Sequence, residues 1–128
     1  MPTTAVATRK DIATAFLQAC ASGNARGAFV AHATTDFVHH NPHYEGDAMS
    51  IALGMEENHK KCPDSVFTVQ RALEDGEFVA VHSGMQMRPG DRGVAVVHLL
   101  RFTGDRIAEM WDVAQEVPER CVNRNGMF

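Results

Sequence analysis

Little in this chain supports a disulfide framework, a membrane span or a nucleic-acid surface. Its three cysteines, Cys20, Cys62 and Cys121, are odd in number and widely separated, which reads as free thiols rather than bridges or a zinc site. No apolar run approaches the roughly 20 residues that a membrane-crossing helix needs. Twelve Lys and Arg stand against sixteen Asp and Glu, a formal net charge of -4; that is the wrong sign for a polyanion partner, and no basic stripe offsets it. Phosphate-cradling glycine loops, a Gly-x-Ser-x-Gly elbow and a Cys-His pair for nucleophilic catalysis are missing too. The amino terminus lacks a basic-then-apolar leader pattern, so the expected location is cytoplasmic. Neither nucleic acid nor membrane is an expected partner.

What is present fits one domain, 1–128, with loose ends at about 1–7 and 120–128. A chain of 128 residues, 45% of them hydrophobic, can bury most of its apolar surface without metals or disulfides. Thr8 can cap a helix, with Asp11 three positions on near the positive end of its dipole. Ile12, Ala15, Phe16, Ala19 and Cys20 then recur at helical spacing, and Ser22-Gly23 ends the run. A short second helix follows from Ala25 to about His32. Phe37-Val38 leads into His39-His40-Asn41-Pro42-His43-Tyr44, where Pro42 removes a backbone donor and stops a short strand or confines it to an edge. Three histidines in five residues suggest a metal. However, strand neighbours point to opposite sides, so His39 and Asn41 share one face and His40 takes the other, and no metal is expected. Asp47 is placed to cap a longer helix whose stripe is Ala48, Ile51, Ala52, Met55 and His59, with Lys60 and Lys61 at its negative end and Pro63 beyond.

The second half reads as strands at 66–73, 77–87, 93–102 and 107–117. Glu74-Asp75-Gly76, Arg88-Pro89-Gly90-Asp91-Arg92 and a Gly104-Asp105 turn separate them, so they form a meander of hairpins. Residues 94–100 are apolar on both faces. Helices on one side and a second subunit on the other would cover such a sheet.

Polar residues interrupt these apolar strands at His82, His98 and Asp112, and a buried polar group costs free energy unless it is paired. Whether they meet depends on loop lengths. A three-residue Thr103-Gly104-Asp105 loop, favoured because Asp105 can take the left-handed position, sets His98 opposite Met110, with Asp112 next along that face. A two-residue loop sets Trp111 opposite His98 and turns Asp112 away. A three-residue Pro89-Gly90-Asp91 loop likewise sets His82 opposite His98. Two imidazoles and a carboxyl group on one apolar face suit general acid-base chemistry, and Asn41 with a neutral histidine suits an enolate oxygen. A core imidazole satisfied by a backbone carbonyl is the plainer alternative for each histidine.

The motifs His40-Asn41-Pro42, Val79-Ala80-Val81-His82-Ser83, Gly90-Asp91-Arg92-Gly93, Val96-Val97-His98, Arg101-Phe102 and Glu109-Met110-Trp111-Asp112-Val113 with Gln115 resemble the SnoaL-like group of the nuclear-transport-factor-two-like (NTF2-like) superfamily. Proteins described as aldol-condensation enzymes and polyketide cyclases fall in that group. The resemblance implies an α+β, cone-shaped, cystatin-like fold, with N-terminal helices packed on a curled antiparallel sheet that encloses a pocket. It also places Asn41 and His98 where ketosteroid isomerases carry a general-base aspartate and an oxyanion-binding aspartate, and neither type is kept here.

The expected activity is cofactor-independent proton transfer beside a carbonyl, in an aldol, cyclisation or isomerisation step on a small hydrophobic substrate. A non-catalytic binding protein of the same fold is the alternative. Asp112, His98 and His82 are the expected catalytic residues; Asn41, His39, Met110, Phe16 and Met55 are the expected substrate contacts. The expected partners are a small hydrophobic carbonyl-containing ligand and, through the outer sheet face, a second copy of the chain.

Overall fold

The computed structural model describes residues 6–128. Of the expected loose tail over residues 1–7, Met1 to Ala5 lie outside the described residues; Val6 and Ala7 are exposed. Three helices, α1 (Arg9–Ala21), α2 (Ala25–His32) and α3 (Ala48–Lys61), accompany five strands, β1 (Ala33–His39), β2 (Val66–Asp75), β3 (Phe78–Gln86), β4 (Val94–Thr103) and β5 (Arg106–Glu116). None of the described helices is long and apolar enough to cross a membrane.

The helix caps follow the sequence. Thr8 Oγ1 accepts from the Asp11 amide at 3.2 Å while the Thr8 amide donates to Asp11 Oδ2 at 3.0 Å, a capping box that satisfies two otherwise unpaired donors. Those bonds to Thr8 hold the Asp11 carboxyl below its usual range. Asp47 caps α3 through the Ser50 amide at 3.3 Å. The apolar face of α1 is turned by about one position from the expected stripe. Ala13, Phe16, Leu17 and Cys20 are buried, whereas Ala15 faces out, because the helix packs beneath α2 and α3 as well as on the sheet.

The strands form one open sheet in the order β1-β5-β4-β3-β2. Strands β2 to β5 are the expected antiparallel meander. β1 departs from that pattern, running parallel to β5 at the edge, and it ends at His39, shortly before Pro42.

Two registers differ from expectation. The β4–β5 turn has two residues, with Thr103 opposite Arg106, and Gly104 rather than Asp105 takes the positive φ (61°). A bulge between Phe102↔Ile107 and Arg101↔Glu109 then shifts the pairing by one, so that His98 stands directly opposite Asp112. Between β3 and β4 the connection spans residues 87–93, and Val81, not His82, lies opposite His98. His82 is thereby turned to the outer face.

The helices cover the inner face. Phe16 and Phe29 meet edge-on at 4.9 Å, as do Phe29 and Phe37; Val79, Val81, Leu100 and Phe102 complete the floor of this core. Arg9 donates to the carbonyls of Gly76 at 2.7 Å and Gly104 at 3.0 Å, which pins the start of α1 at the β2–β3 and β4–β5 turns. Its last turn accordingly points to the opposite end of the sheet. The outer face leaves Leu73, Val97, Leu99 and Val113 exposed.

Candidate functional site

Beyond the packed core the inner face opens into a cavity of about 490 Å³, within the usual range for small-ligand sites of about 300–1,000 Å³. Leu17 and Cys20 of α1, Met55 and His59 of α3, Phe67 of β2 and His98 of β4 are among the residues of its wall. The lining is mainly apolar because alternate strand positions turn Phe67, Met85, Val94 and Val96 inward beneath the helices.

One corner is polar. The segment after β1 folds so that Asn41 Nδ2 donates to Asp112 Oδ2 at 2.8 Å, while Asn41 Oδ1 accepts from the His43 amide at 2.9 Å. The Asn41 amide in turn donates to His39 Nδ1 at 3.1 Å. A neutral His39 with Nδ1 accepting carries its proton on Nε2, and that atom is buried without a partner. Burial pushes the His39 pKa down, against the opposing pull of Asp112 and Asp47.

His98, 9% exposed, sits across the β4–β5 ladder from Asp112. Desolvation takes its pKa down to about 4, outweighing the nearby Asp112. The ring is therefore neutral at physiological pH. Its Nδ1 is sealed off without a partner, so Nε2 is the nitrogen open to a ligand. This corner thus offers a carboxyl group held by an amide beside an uncharged imidazole donor.

The expected site residues divide into four sets. Asn41, His98 and Met55 line the cavity, and Asp112 joins them through its bond to Asn41. His39 lies one contact further back, holding the Asn41 backbone. Phe16 and Met110 belong to the close-packed core, and neither is in the cavity wall: Met110 pairs with Leu100 two residues beyond His98, deeper in the sheet, and Phe16 is held by Phe29. His82 is separated from the group by the sheet itself. It contacts Arg71, and the ring of Phe128 stacks on it at 6.0 Å, which also brings the C-terminal end, expected to be loose, back onto the outer face.

Cys20, in the wall, has its thiol pushed up to about 12 by burial, so it serves as packing rather than as a nucleophile. Sequence reasoning missed Asn58, His59, Ser65 and Met85 as wall residues. The available signal was the helical spacing of Met55 and His59, which placed them on one face of α3.

On the outer face His40 stacks on Trp111 with ring centroids 4.9 Å apart and planes at 6°. Its Nε2 lies 2.7 Å from Glu109, which also accepts from Arg101 Nε at 3.0 Å. These bonds, His40 first, keep the Glu109 carboxyl low.

A curled, unclosed sheet covered on one face by three helices, with an apolar hollow and one polar corner, defines an α+β small-molecule-cavity fold of the cystatin-like, NTF2-like kind. The chain belongs to the SnoaL-like domain family, whose sequence model matches residues 13–110. Among solved structures it is similar to an NTF2-like protein of unknown function from Cytophaga hutchinsonii, at 16% identity and a TM-score of 0.69 over 88% of this chain and 95% of that one. It is also similar to an uncharacterized cystatin fold protein from Novosphingobium aromaticivorans, at 15% identity and a TM-score of 0.70 over 84% and 99%. A third is IdmH, a candidate polyketide cyclase from Streptomyces antibioticus, at 20% identity and a TM-score of 0.67 over 84% and 92%. At these identities the likeness is one of fold. No curated protein matches the sequence significantly.

Proposed function

We propose that this SnoaL-like protein binds a small hydrophobic carbonyl compound in its cavity and moves a proton at the carbon beside the carbonyl, the step shared by aldol condensation, cyclisation and isomerisation. The observation that carries this reading is the polar corner: Asn41 holds Asp112 at 2.8 Å, directly across the ladder from a His98 kept neutral by burial. Asp112 takes the α-proton, directly or through one water. As that bond breaks, electron density moves onto the carbonyl oxygen, where the His98 N–H and the second N–H of Asn41 donate to it. An uncharged donor in a mainly apolar pocket stabilises the enolate without needing a proton of its own to be replaced. No role in this step falls to His82, given its place on the outer face.

Incubation of the protein with 2-nonanone in deuterated water tests the proposal. Loss of the α-proton signals should depend on the protein, and Asp112→Asn should slow it by about 10²–10⁴-fold while retaining the circular dichroism spectrum of the parent. One observation favours a second reading, a plain binding protein: Asp112 meets the cavity through Asn41 rather than lining it. Binding without exchange above the buffer rate would establish that reading instead.

Two further properties accompany the proposal. The exposed Leu73, Val97, Leu99 and Val113 on the outer sheet face support a homodimer with a second copy of the chain. The three free cysteines suit a reducing, cytoplasmic setting.

A further inference from the structure

The cavity has a second polar end. Val94, Val96 and His98 all stand in its wall, alternate positions of one strand that together span about 13 Å at ~3.3 Å per residue. Asn41 and Asp112 mark the His98 end. The other end is fixed by α1, which starts at the Gly76 and Gly104 turns and finishes where β3 passes over to β4. There the α1–α2 turn meets α3: a Cβ placed on Gly23 would lie 2.5 Å from His59 Cδ2. Asn58, the neighbour of His59, and Ser65, just ahead of the Val66↔Gln86 pair that begins β2, line the same end. His59 Nδ1, like His98 Nδ1, is buried with no hydrogen-bond partner among the described residues, so what this end offers a ligand is the rest of the His59 ring edge together with Asn58 and Ser65. Between the two ends the wall is apolar, with Met55, Phe67, Met85 and Val96. Among the described residues the lining includes no Lys, Arg, Asp or Glu.

We propose that His59, with Asn58 and Ser65 beside it, is a second binding subsite, and that the cavity takes an elongated, neutral ligand with a carbonyl at the His98 end and a hydroxyl or second carbonyl at the His59 end. This rests on the reading that the His98 end takes a carbonyl. A polar group at the tip of the ligand bonds to the polar groups of His59, Asn58 and Ser65 that line this end, and a site built this way discriminates against the analogue without that group. A free carboxylate or phosphate is disfavoured, because its charge would enter an apolar hollow whose wall supplies no fixed cation.

Isothermal titration calorimetry on the full chain with 2-nonanone, 9-hydroxynonan-2-one and 8-oxononanoate tests the inference. The hydroxyketone should bind about threefold to tenfold more tightly than 2-nonanone, the gain of one hydrogen bond, and the oxo acid should bind most weakly. His59→Phe should bring the hydroxyketone down to the affinity of the parent ketone, and Asn58→Leu, on the exposed end of the same subsite, should narrow the gap if His59→Phe fails to fold. Equal affinities in the unaltered protein, a preference that survives both substitutions, or tightest binding of the oxo acid would overturn the subsite. If 2-nonanone still exchanges its α-protons in that case, the subsite alone fails; if none of the three compounds binds, the carbonyl reading of the His98 end fails with it.

Discussion

His98 and Asn41 carry opposite kinds of constraint. Asn41 is nearly saturated: its amide group bonds Asp112 and His43, and its backbone bonds His39. His98 is left short of a partner at Nδ1 and uncharged. Its depressed pKa has a stability consequence. The ring titrates at about 4 in the fold against 6.5 ordinarily, so unfolding takes up a proton between those values; stability therefore rises with pH across that window and is level above it. At pH 5 the cost is roughly 2 kcal/mol relative to pH 7. Urea unfolding at pH 7 and pH 5 should show the parent losing about that much more than His98→Asn. His39 shifts in the same direction in both proteins and cancels from the comparison. Equal pH dependence in the two proteins would show that His98 is not buried as a neutral ring.

At the level of elements, the site depends on how α3 meets the segment after β1. Gly54 lies in the middle of α3, where alanine ordinarily improves a helix by about 1 kcal/mol. Here the Tyr44 ring occupies the space a Cβ would need, and Tyr44 packs edge-on to His39 with centroids 6.4 Å apart. Gly54→Ala should therefore lower stability by about 1–3 kcal/mol and weaken ketone binding, because displacing Tyr44 disturbs the segment that carries Asn41. A higher melting temperature by circular dichroism would contradict this.

The β4–β5 hairpin shows a different dependence. Its two-residue turn alone would have set Trp111 against His98, and the single bulge at Ala108 sets Asp112 there instead. One extra residue thus decides which face the carboxyl group occupies.

At the scale of the whole molecule, the outer side of the sheet stands uncovered by helices. Val113 is 73% exposed and Leu73 is 65% exposed, on a face where Trp111, His40, Glu109 and Arg101 form a stacked and ion-paired cluster. Such a face would be shielded from water in a dimer, with the polar cluster fixing its register. Multi-angle light scattering at micromolar concentration should give a dimer for the parent and a monomer for Val113→Glu. A monomeric parent would remove this surface from consideration as a self-interface.

The amino-acid order by itself determined the elements: Thr8 and Asp47 as caps, three helices before the last four strands, and Pro42 ending the first strand, all written in local propensity and short-range periodicity. It also marked His82, His98 and Asp112 as polar residues that interrupt apolar strands, and Asn41 as their partner after the first strand. Tertiary structure decided which of them meet. His82 went to the outer face and Asp112 to the inner one through a long β3–β4 connection and a single bulge, features set by how the curled sheet packs under the helices. A strand's side chains change faces with each residue of register, so a pattern that fixes every strand still leaves open which polar groups share a pocket until the strands have paired and the sheet has curled.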